Sequence, residues 1–330
     1  MRIAIVGATG LVGREMIRVL EEFDLPVEML IPAASDRSAG QSVFFNGKEM
    51  KVVSVKEAVE AKPDMAIFSA GAEVSKKWAP VFAESGTTVI DNSSAWRMNV
   101  DVPLIVPEIN AAILTKNDKI IANPNCSTIQ LVMVLAPLQK RYGIKRVVVS
   151  TYQSVTGSGV KAVEQLMSER NDKSVEKFYP HTIDLNVLPH AGDFETDGYT
   201  TEELKLVNET RKILNVDIPL TATAARVPVV GGHSEAVNAE LEKDFDIEEV
   251  KQLLAKTKGI VLEDNPDENR YPMPMNAKGN NEVFVGRVRR DFSVEHGINL
   301  WIVADNIRKG AATNAVQIAA WLIQNNLTTR

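Results

Sequence analysis

The single cysteine of the sequence, Cys126, is the residue best placed to act as a nucleophile. It follows the turn-forming run Asn123-Pro124-Asn125 and precedes apolar residues at helical spacing, where Ser127 and Thr128 suit a helix start. A thiol at such a junction faces the unpaired N–H groups and the positive end of the helix dipole, which favour the thiolate. A lone cysteine is more often a small buried apolar residue. The polar neighbours argue against that interpretation here, so we predict a reactive thiol.

The segment RVPVVGGHSE, residues 226–235, holds the groups that best fit as partners for the thiol and its substrate. Its two glycines could form a loop that brings His233 to a ligand, and an imidazole with a pKa near neutrality suits proton transfer in carbonyl chemistry. Arg226 and the two glycines nearby strengthen the interpretation of His233 as a functional residue. Lone histidines are more often structural, and we expect surface or loop-bracing roles for the other three, His181, His190 and His296.

Arg97 ends the polar run DNSSAWR, which follows a predicted strand at Thr88–Asp91. Ligands of parallel sheets bind at the carboxyl ends of the strands, so Arg97 is a candidate anion ligand, although an exposed loop arginine is more often only solvated. The sequence contains no cluster with metal-ligand spacing, since it has one cysteine and no histidine pair with nearby carboxylates. The phosphate-binding lysine motif of nucleotide hydrolases is also absent from the sequence.

Residues 2–6, RIAIV, form a β-branched run that breaks into GATGLVG at residues 7–13, after which helical spacing resumes. Strand, glycine turn and helix in this order are typical of a dinucleotide-binding site, where the pyrophosphate approaches the backbone at the helix N-terminus. The spacing GxxGxxG is not the commoner GxGxxG and could be only a glycine turn. We predict that the cofactor contacts Gly7, Thr9, Gly10, Leu11, Val12 and Gly13.

The end of the second predicted strand indicates which dinucleotide binds. An NAD enzyme would carry an acidic residue there, whereas this chain reads SDRSAG at residues 35–40. Arg37 between the hydroxyls of Ser35 and Ser38 suits a 2′-phosphate, because arginine offers paired donors to phosphate oxygens. We therefore predict NADP as the cofactor. Asp36 opposes this prediction, since an inward-facing carboxylate would repel the phosphate and admit NAD.

Hydrophobic periodicity and turn signals divide the chain into two domains of an α/β protein. Residues 1–125 with 306–330 are predicted as a Rossmann-type, doubly wound parallel sheet. Residues 126–305 are predicted as a second, α+β domain with a mostly antiparallel sheet, which carries the catalytic groups. An apolar helix at Ala311–Gln324 would pack back onto the first domain. The remaining strands are expected at Val27–Ile31, Met65–Ser69, Arg146–Tyr152, Thr221–Val230, Ala236–Leu241, Val283–Arg289 and Ile298–Ala304.

Length and composition fit an ordinary globular protein of two domains, because 330 residues are long for one core. A formal net charge of −6 gives no reason to expect nucleic acid or an anionic membrane as a partner. One cysteine suits a reducing compartment, and no apolar run approaches the length of a membrane span. The opening MRIAIVGATG lacks a signal-peptide profile. We therefore expect a cytoplasmic protein.

A series of short segments together resembles the aspartate-semialdehyde dehydrogenase family, whose members are phosphorylating aldehyde dehydrogenases. The segments run from residue 7 to residue 312 and so cover nearly the whole chain. NPNCSTIQ and the spacing of arginine, six residues and histidine are specific to this family, whereas GATG alone is not. The matching segments are GATGLVG, SDRSAG, SSAWRM, NPNCSTIQ, STYQSVTGSG, TEELKLVNET, RVPVVGGHSE, VGRVR and DNIRKGAA.

The resemblance implies three catalytic residues. Cys126 would be the nucleophile that forms a thioester with the β-carboxyl carbon of aspartate. His233 would be the acid/base, and Gln153 would orient the acyl group. Further cofactor contacts would come from Ser158, Gly159 and Asn306.

The resemblance also implies separate sites for the two ends of the substrate. Arg226 would bind the α-carboxylate, and Glu202 would bind the amine, next to Asn125 and Gln153. Lys205 and Arg97 would hold the phosphate. Two anionic groups on one substrate need two cationic sites, which these residues supply.

The implied reaction converts L-aspartyl 4-phosphate and NADPH to L-aspartate 4-semialdehyde, in the biosynthesis of lysine and diaminopimelate, threonine, methionine and isoleucine. The family forms dimers or dimers of dimers, so a homodimer is expected, with its interface on the sheet of the second domain, residues 126–305. The nearest alternative is a reductase of N-acetyl-γ-glutamyl phosphate, and Glu202 argues against it because only a free ammonium needs a carboxylate partner. A non-catalytic cofactor-binding relative is a second alternative. It would be expected to have lost the thiol or the base, and both are present.

Overall fold

The structure, a computed structural model, describes residues 1–174 and 176–328. The chain forms two compact units, Met1–Asn125 with Ala311–Arg330, and Cys126–Gly310. The first unit is therefore built from two separate stretches of chain. The assignment of cofactor binding to the first unit, and of catalysis and dimerisation to the second, stays a prediction.

Strands and helices alternate along most of the first unit. Over the described residues the strands are β1 (Arg2–Val6), β2 (Met29–Ala34), β3 (Ser42–Phe45), β4 (Lys48–Lys51), β5 (Val53–Ser54), β6 (Met65–Phe68), β7 (Thr88–Asp91), β8 (Ile120–Ala122), β9 (Ile144–Ser154), β10 (Leu220–Val227), β11 (His233–Leu241), β12 (Ile260–Leu262), β13 (Val283–Asp291) and β14 (Gly297–Ala304). The helices are α1 (Leu11–Glu22), α2 (Val55–Glu60), α3 (Ala72–Glu84), α4 (Pro107–Asn110), α5 (Cys126–Tyr142), α6 (Val160–Arg170), α7 (Thr201–Leu214), α8 (Ile247–Lys256), α9 (Pro274–Ala277) and α10 (Thr313–Gln324).

The first unit is organised around a six-stranded sheet in the order β5-β2-β1-β6-β7-β8. All of its pairings are parallel, so the predicted doubly wound parallel sheet is confirmed. The strand order reverses between β1 and β6, and a ligand crevice is expected at the carboxyl ends of these strands. The prediction of a second strand at Val27–Ile31 is wrong in its bounds, because β2 runs on through Pro32 to Ala34. The antiparallel hairpin of β3 and β4 was not predicted.

Both faces of this sheet are covered, which explains why its strands are continuous apolar runs. Along β1, Ile3 and Ile5 are buried in a core shared with α1 and α10, whereas Ala4 and Val6 are buried in a core shared with α2 and α3. Alternate residues of one strand therefore point into different cores. This packing fixes the carboxyl end of β1, where the glycine turn begins.

The second unit holds a six-stranded mixed sheet in the order β10-β9-β11-β14-β13-β12. The three central pairings are antiparallel and the two outer pairings are parallel, which confirms a mostly antiparallel sheet. Helix α5 packs on one face. The opposite face lines an open cavity of about 620 Å³.

Three predicted boundaries near the site are wrong. His233, predicted to lie in a loop past a strand, is the first residue of β11. The reason is that Gly231 and Gly232, with φ angles of 89° and 81°, complete the turn by themselves. Strand β10 correspondingly ends at Val227 rather than Val230. The closing helix begins at Thr313 rather than Ala311, because a wide π-helical turn at Arg308–Ala312 precedes it.

Candidate active site

Cys126 is the first residue of α5 and is half-buried. Because α5 packs against the sheet of the second unit, the thiol is held at the helix end where N–H groups and the dipole stabilise negative charge. Gly310 lies against it, since a Cβ built on Gly310 would be 2.8 Å from the Cys126 Cβ. A side chain at position 310 would therefore displace the cysteine.

Gln153 connects the start of α5 to the start of α7. It lies near the end of β9, fully buried, and its Nε2 donates to the Ser127 Oγ at 3.0 Å and to the Glu202 Oε1 at 3.3 Å. The second carboxylate oxygen of Glu202 pairs with the Lys205 Nζ at 3.0 Å. Lys205, predicted to hold the phosphate, is thus paired with the residue that was predicted to bind the amine.

The first turn of α7 is held in place by a capping box. The Thr200 side chain accepts from the Glu203 N–H, and the Glu203 carboxylate accepts from the Thr200 N–H. Glu203 also accepts from the N–H of Ala224 in β10. Glu202 and Lys205, three residues apart, share one face of this anchored turn and therefore form a pair.

His233 is a neutral hydrogen-bond donor in this site. Its Nδ1 accepts from the backbone N–H of Ser154 at 3.0 Å, so the proton of the neutral ring lies on Nε2. Burial, and after it the positive charge of Arg226, lowers the pKa of His233 from 6.5 to about 3, while Glu202 opposes that shift. Among the described residues Nε2 has no hydrogen-bond partner. Its N–H is therefore available to a ligand.

Arg226 lies beside the imidazole, one residue before the end of β10. Its Nη1 donates to the Ser154 carbonyl oxygen at 3.2 Å, and its buried Nε has no partner among the residues described. Gly157 covers both groups, because a Cβ there would be 2.7 Å from the Arg226 Nη1 and 3.0 Å from the His233 Nε2. Glycine at 157 therefore lets the loop backbone approach both donors closely, and any side chain at this position would displace one of them.

The loop after β9 is braced from two sides. The Asn306 Oδ1 accepts from the Thr156 hydroxyl at 3.0 Å and from the Gly232 N–H at 3.1 Å. The Ser158 hydroxyl accepts from the Tyr179 hydroxyl at 2.9 Å. Sequence analysis missed Tyr179, because it lies in a polar, irregular stretch with no pattern that points to Ser158. Gly159, with a φ of 91°, ends the loop and caps α6.

In the first unit, the glycine turn has the close packing that a dinucleotide site needs. A Cβ on Gly13 would be 2.1 Å from the Gly7 carbonyl oxygen, and one on Gly7 would be 2.4 Å from the Ser69 carbonyl oxygen. Gly10 precedes α1 with no side-chain cap, which leaves the N–H groups of the first turn, at Leu11 and Val12, for a phosphate. A cleft of about 660 Å³ opens here, lined by Gly7, Thr9 and Gly10 among others. These residues fit a dinucleotide.

The same cleft is lined by Ser35 and Asp36 and by two lysines, Lys56 and Lys77. Arg37 is exposed, and neither it nor Ser38 belongs to the lining. The two lysines were missed in the sequence because they lie on helices far along the chain from the SDRSAG segment. Asp36, the residue that opposes NADP, therefore lines the cleft, whereas Arg37 does not.

Arg97 is buried rather than solvated. Its Nε donates to the Asn123 carbonyl oxygen at 2.9 Å and its Nη2 to the Asn92 carbonyl oxygen at 3.0 Å. Burial raises the pKa of the neighbouring Asp91. Hydrogen bonds from Ser93 and the positive charge of Arg97 oppose this increase. The loop after β7 thus holds Arg97 rigidly. Its role towards phosphate, like that of the buried Asn125, stays a prediction.

The described residues contain no group of three histidine, cysteine, aspartate or glutamate side chains that could hold a metal ion. None of the helices in residues 1–174 and 176–328 is long and apolar enough to cross a membrane.

Two protein families match the chain, one for each unit. Residues 2–116 match the family described as "Semialdehyde dehydrogenase, NAD binding domain". Residues 135–309 match "Semialdehyde dehydrogenase, dimerisation domain". Together these matches account for most of the sequence.

Individual relatives match over the full length. Aspartate-semialdehyde dehydrogenase of Aquifex aeolicus is 51% identical over 336 residues, with 99% of both chains covered. The Bacillus subtilis protein of the same name is 43% identical, also with 99% of both chains covered. Among solved structures, aspartate semialdehyde dehydrogenase II of Vibrio cholerae, complexed with ASA, superposes with a TM-score of 0.94 at 45% identity, covering 98% of each chain. The Candida albicans enzyme with NADP superposes with a TM-score of 0.80 at 25% identity, covering 99% of each chain.

Proposed function

The chain belongs to the aspartate-semialdehyde dehydrogenase family, and on that premise we propose that it reduces L-aspartyl 4-phosphate to L-aspartate 4-semialdehyde with NADPH, through a thioester on Cys126. In the reverse direction the reaction is a phosphate-dependent oxidation of the aldehyde. The observation that carries the proposal is the buried cluster of the second unit, in which Gln153, Glu202, Arg226 and His233 lie within hydrogen-bonding or charge–charge reach of one another.

The covalent step belongs to Cys126. Its thiolate attacks the β-carbonyl carbon, the bond from that carbon to the phosphate oxygen breaks, and a thioester remains. The Nε2–H of His233 donates to the carbonyl oxygen as negative charge develops on it. This is the acid half of the predicted acid/base role. NADPH, when bound, supplies the hydride that reduces the acyl carbon.

Gln153 orients the acyl group. Its Nε2 is used by Ser127 and Glu202, and its buried Oε1 has no partner within the described part of the chain. The amide is therefore fixed in one orientation before substrate arrives. Such preorganisation reduces the reorganisation that the reaction requires.

Separate groups hold the two ends of the substrate. Arg226 receives the α-carboxylate, since its buried Nε lacks a hydrogen bond among the described residues and a guanidinium pairs with both oxygens. Glu202 receives the free ammonium. Lys205, paired with Glu202 but partly exposed, and Arg97 receive the phosphate. An N-acetylated substrate would have no use for Glu202, which argues against the N-acetyl-γ-glutamyl phosphate alternative.

The dinucleotide is held at its pyrophosphate by the turn from Gly7 to Gly13, and we propose NADP rather than NAD. Support comes from three cations. Arg37 follows the end of β2, and Lys56 and Lys77 line the cleft. Ser158, Gly159 and Asn306 of the second unit are proposed to contact the same cofactor, on the resemblance alone.

We also propose a homodimer that forms through the open face of the second sheet. This face carries Tyr152 and Trp301, whose rings lie 5.5 Å apart, with Met273 and Ala236 nearby. Its apolar surface belongs to the segment matched by the dimerisation-domain family. Exposed apolar and aromatic side chains grouped on one sheet face are typical of a protein interface.

The proposed product would supply the biosynthesis of lysine and diaminopimelate, threonine, methionine and isoleucine. We place the enzyme in the cytoplasm, where a single cysteine stays reduced. Its partners are then small-molecule substrates and a second copy of the chain.

The test is an assay of purified protein with aspartate semialdehyde, NADP and inorganic phosphate, in which formation of NADPH is followed. We expect activity that depends on phosphate. Reduction of NADP that is equally fast without phosphate, or no reduction at all, would contradict the proposal. The semialdehyde of N-acetylglutamate serves as the competing substrate, and faster turnover of that compound would favour the alternative enzyme.

A further inference from the structure

Beneath the proposed catalytic groups lies a second layer of buried polar side chains. Equivalent residues of the two layers are one turn apart on α5 and two residues apart on β9 and on β11. Both layers therefore lie on the same faces of these elements. The first set consists of Cys126, Gln153 and His233. The second set, the inner polar layer, consists of Gln130, Thr151 and Glu235, and all three are at most 1% exposed.

The register of the sheet places this inner polar layer on one level. Glu235 pairs with Thr151 across β11 and β9, and side chains of directly opposed residues lie on the same side. The next pair along the same strands is apolar, Val237 opposite Val149, and both are buried. Polar groups therefore extend two layers deep from the site and then stop.

The inner polar layer contains several unsatisfied hydrogen-bonding atoms. Among the described residues, the Thr151 Oγ1, the Gln130 Oε1 and both carboxyl oxygens of Glu235 have no hydrogen bond of regular geometry. The Gln130 amide nevertheless lies close enough to the Glu235 carboxyl to lower its pKa, against the larger effect of burial, which raises the pKa of Glu235 well above 4.5. On its other side the Gln130 Nε2 donates to the His233 carbonyl oxygen at 3.4 Å.

From this geometry we propose that Glu235 is a positioning residue that works as an uncharged acid. Its O–H donates to the Gln130 Oε1, and the Gln130 N–H donates to the His233 carbonyl oxygen. The Gln130 Oε1 and one oxygen of Glu235 then have partners that they otherwise lack. The chain of hydrogen bonds ties the first turn of α5 to the first residue of β11.

The consequence concerns the thiol and the imidazole together, and it rests on the proposed function. Cys126 is one turn from Gln130, and His233 is the residue whose backbone Gln130 holds. The inner polar layer therefore fixes the distance between the nucleophile and the donor. A carboxylate beneath the thiolate would repel its negative charge. An uncharged acid fixes the same distance without that repulsion.

The first experiment compares Glu235→Gln with Glu235→Leu in the purified enzyme. Glutamine keeps one donor and one acceptor, so we expect kcat within about twofold of the wild-type value. Leucine removes both, and we expect kcat to fall by about tenfold to a hundredfold, the scale of a small misplacement of catalytic groups. The KM values for semialdehyde and phosphate should change by no more than about threefold. The matched control is Val149→Ala, a buried change one layer deeper, which should lower thermal stability without lowering kcat.

A second measurement does not depend on the reaction. The folded protein retains the Glu235 proton above pH 4.5 whereas the unfolded chain releases it, so rising pH favours unfolding of the wild type. Facing side chains do not alter this sign, since Gln130, Thr151 and Ile302 are uncharged and His233 is neutral. The Tm of Glu235→Gln should therefore exceed that of the wild type by a margin that grows by about 2 °C per pH unit above 4.5, until the raised pKa of Glu235 in the folded protein is passed.

The outcomes separately test the proposed function, the positioning role of Glu235 and its protonation. Absent phosphate-dependent activity in the wild type would overturn the proposed function, while the Tm margin would still decide the protonation of Glu235. A leucine variant with wild-type kcat would overturn the positioning role. A glutamine variant as slow as the leucine variant, or a Tm margin independent of pH, would show that the group works as a carboxylate and would overturn the uncharged acid.

Discussion

At the residue scale the proposed chemistry depends first on the sulfur of Cys126, because no other group at the start of α5 is comparably nucleophilic. Cys126→Ser should keep the fold and lower turnover by on the order of 10³-fold or more, since an alcohol needs an activating base that the Nε2–H tautomer of His233 does not supply. Mass spectrometry of wild-type protein trapped with substrate should locate an acyl adduct on Cys126. An adduct at another residue, or full activity in the serine variant, would remove the nucleophile assignment.

Arg226 and Lys205 should fail in different ways when changed. Arg226→Lys keeps the charge but loses the planar pair of donors, and about 2 to 4 kcal/mol of transition-state binding to the semialdehyde is expected to be lost. Lys205→Ala should raise the KM for phosphate about fivefold, because a partly exposed ion pair contributes about 1 kcal/mol. The KM for semialdehyde should stay nearly unchanged. Steady-state kinetics with each substrate varied separately measures both effects. If the two variants weaken binding of the same substrate, the two anion sites are wrongly assigned.

His233 should remain uncharged throughout the range in which enzymes are assayed. With a pKa lowered to about 3 by burial and by Arg226, its ring should show no titration between pH 5 and pH 8 in an NMR spectrum of labelled histidine. His233→Asn identifies which of the four histidine signals is involved. A signal that titrates near 6.5 and disappears in this variant would contradict the donor role.

At the element scale, the segment after β2 should determine the choice of cofactor. Charge-assisted hydrogen bonds to a 2′-phosphate are worth about 1.5 to 3 kcal/mol each, which predicts at least a tenfold preference for NADP in kcat/KM. Arg37→Ala should remove most of this preference by weakening NADP alone, and Asp36→Ala should increase it if the carboxylate faces the phosphate.

The two lysines at the cleft provide the control for that experiment. Lys56→Ala should leave the ratio of the two cofactors unchanged if Arg37 holds the phosphate, and should lower it if the lysine does so instead. A wild-type enzyme that uses NAD as well as NADP would show that Asp36 outweighs the cations.

The same scale shows what local sequence can predict. The glycine turn was predicted because strand, turn and helix are contiguous, and the close contact of Gly13 with the Gly7 carbonyl lies within seven residues. The Nδ1 contact between His233 and the Ser154 N–H joins residues 79 positions apart. It depends on the pairing of β9 with β11, for which no local pattern exists. The inner polar layer was not predicted for the same reason, since Gln130, Thr151 and Glu235 are neighbours only after the sheet has formed.

At the scale of the whole molecule, the open face of the second sheet should control assembly. Ala236→Arg would place a further positive charge in the proposed interface, in a cavity that Arg287 and Arg289 already line, and should convert dimers into monomers. Gln252→Arg adds the same charge on the exposed surface of α8 and should leave the dimer intact. Light scattering of both variants after chromatography gives the mass directly. A monomeric wild type would contradict the homodimer, and a dimeric Ala236→Arg protein with an unchanged melting temperature would place the interface elsewhere.

The discontinuous first unit has a consequence for synthesis on the ribosome. Helix α10 supplies Val316, Ile318 and Leu322 to the core that Ile3 and Met16 occupy. Roughly 185 residues of the second unit are translated between Asn125 and the return of the chain. At about 5 to 20 residues per second, the nascent first unit would expose one apolar face of its sheet for roughly 10 to 40 s before α10 emerges. Translation speed and chaperone supply should therefore affect the yield of this protein, and chains released before residue 313 should aggregate.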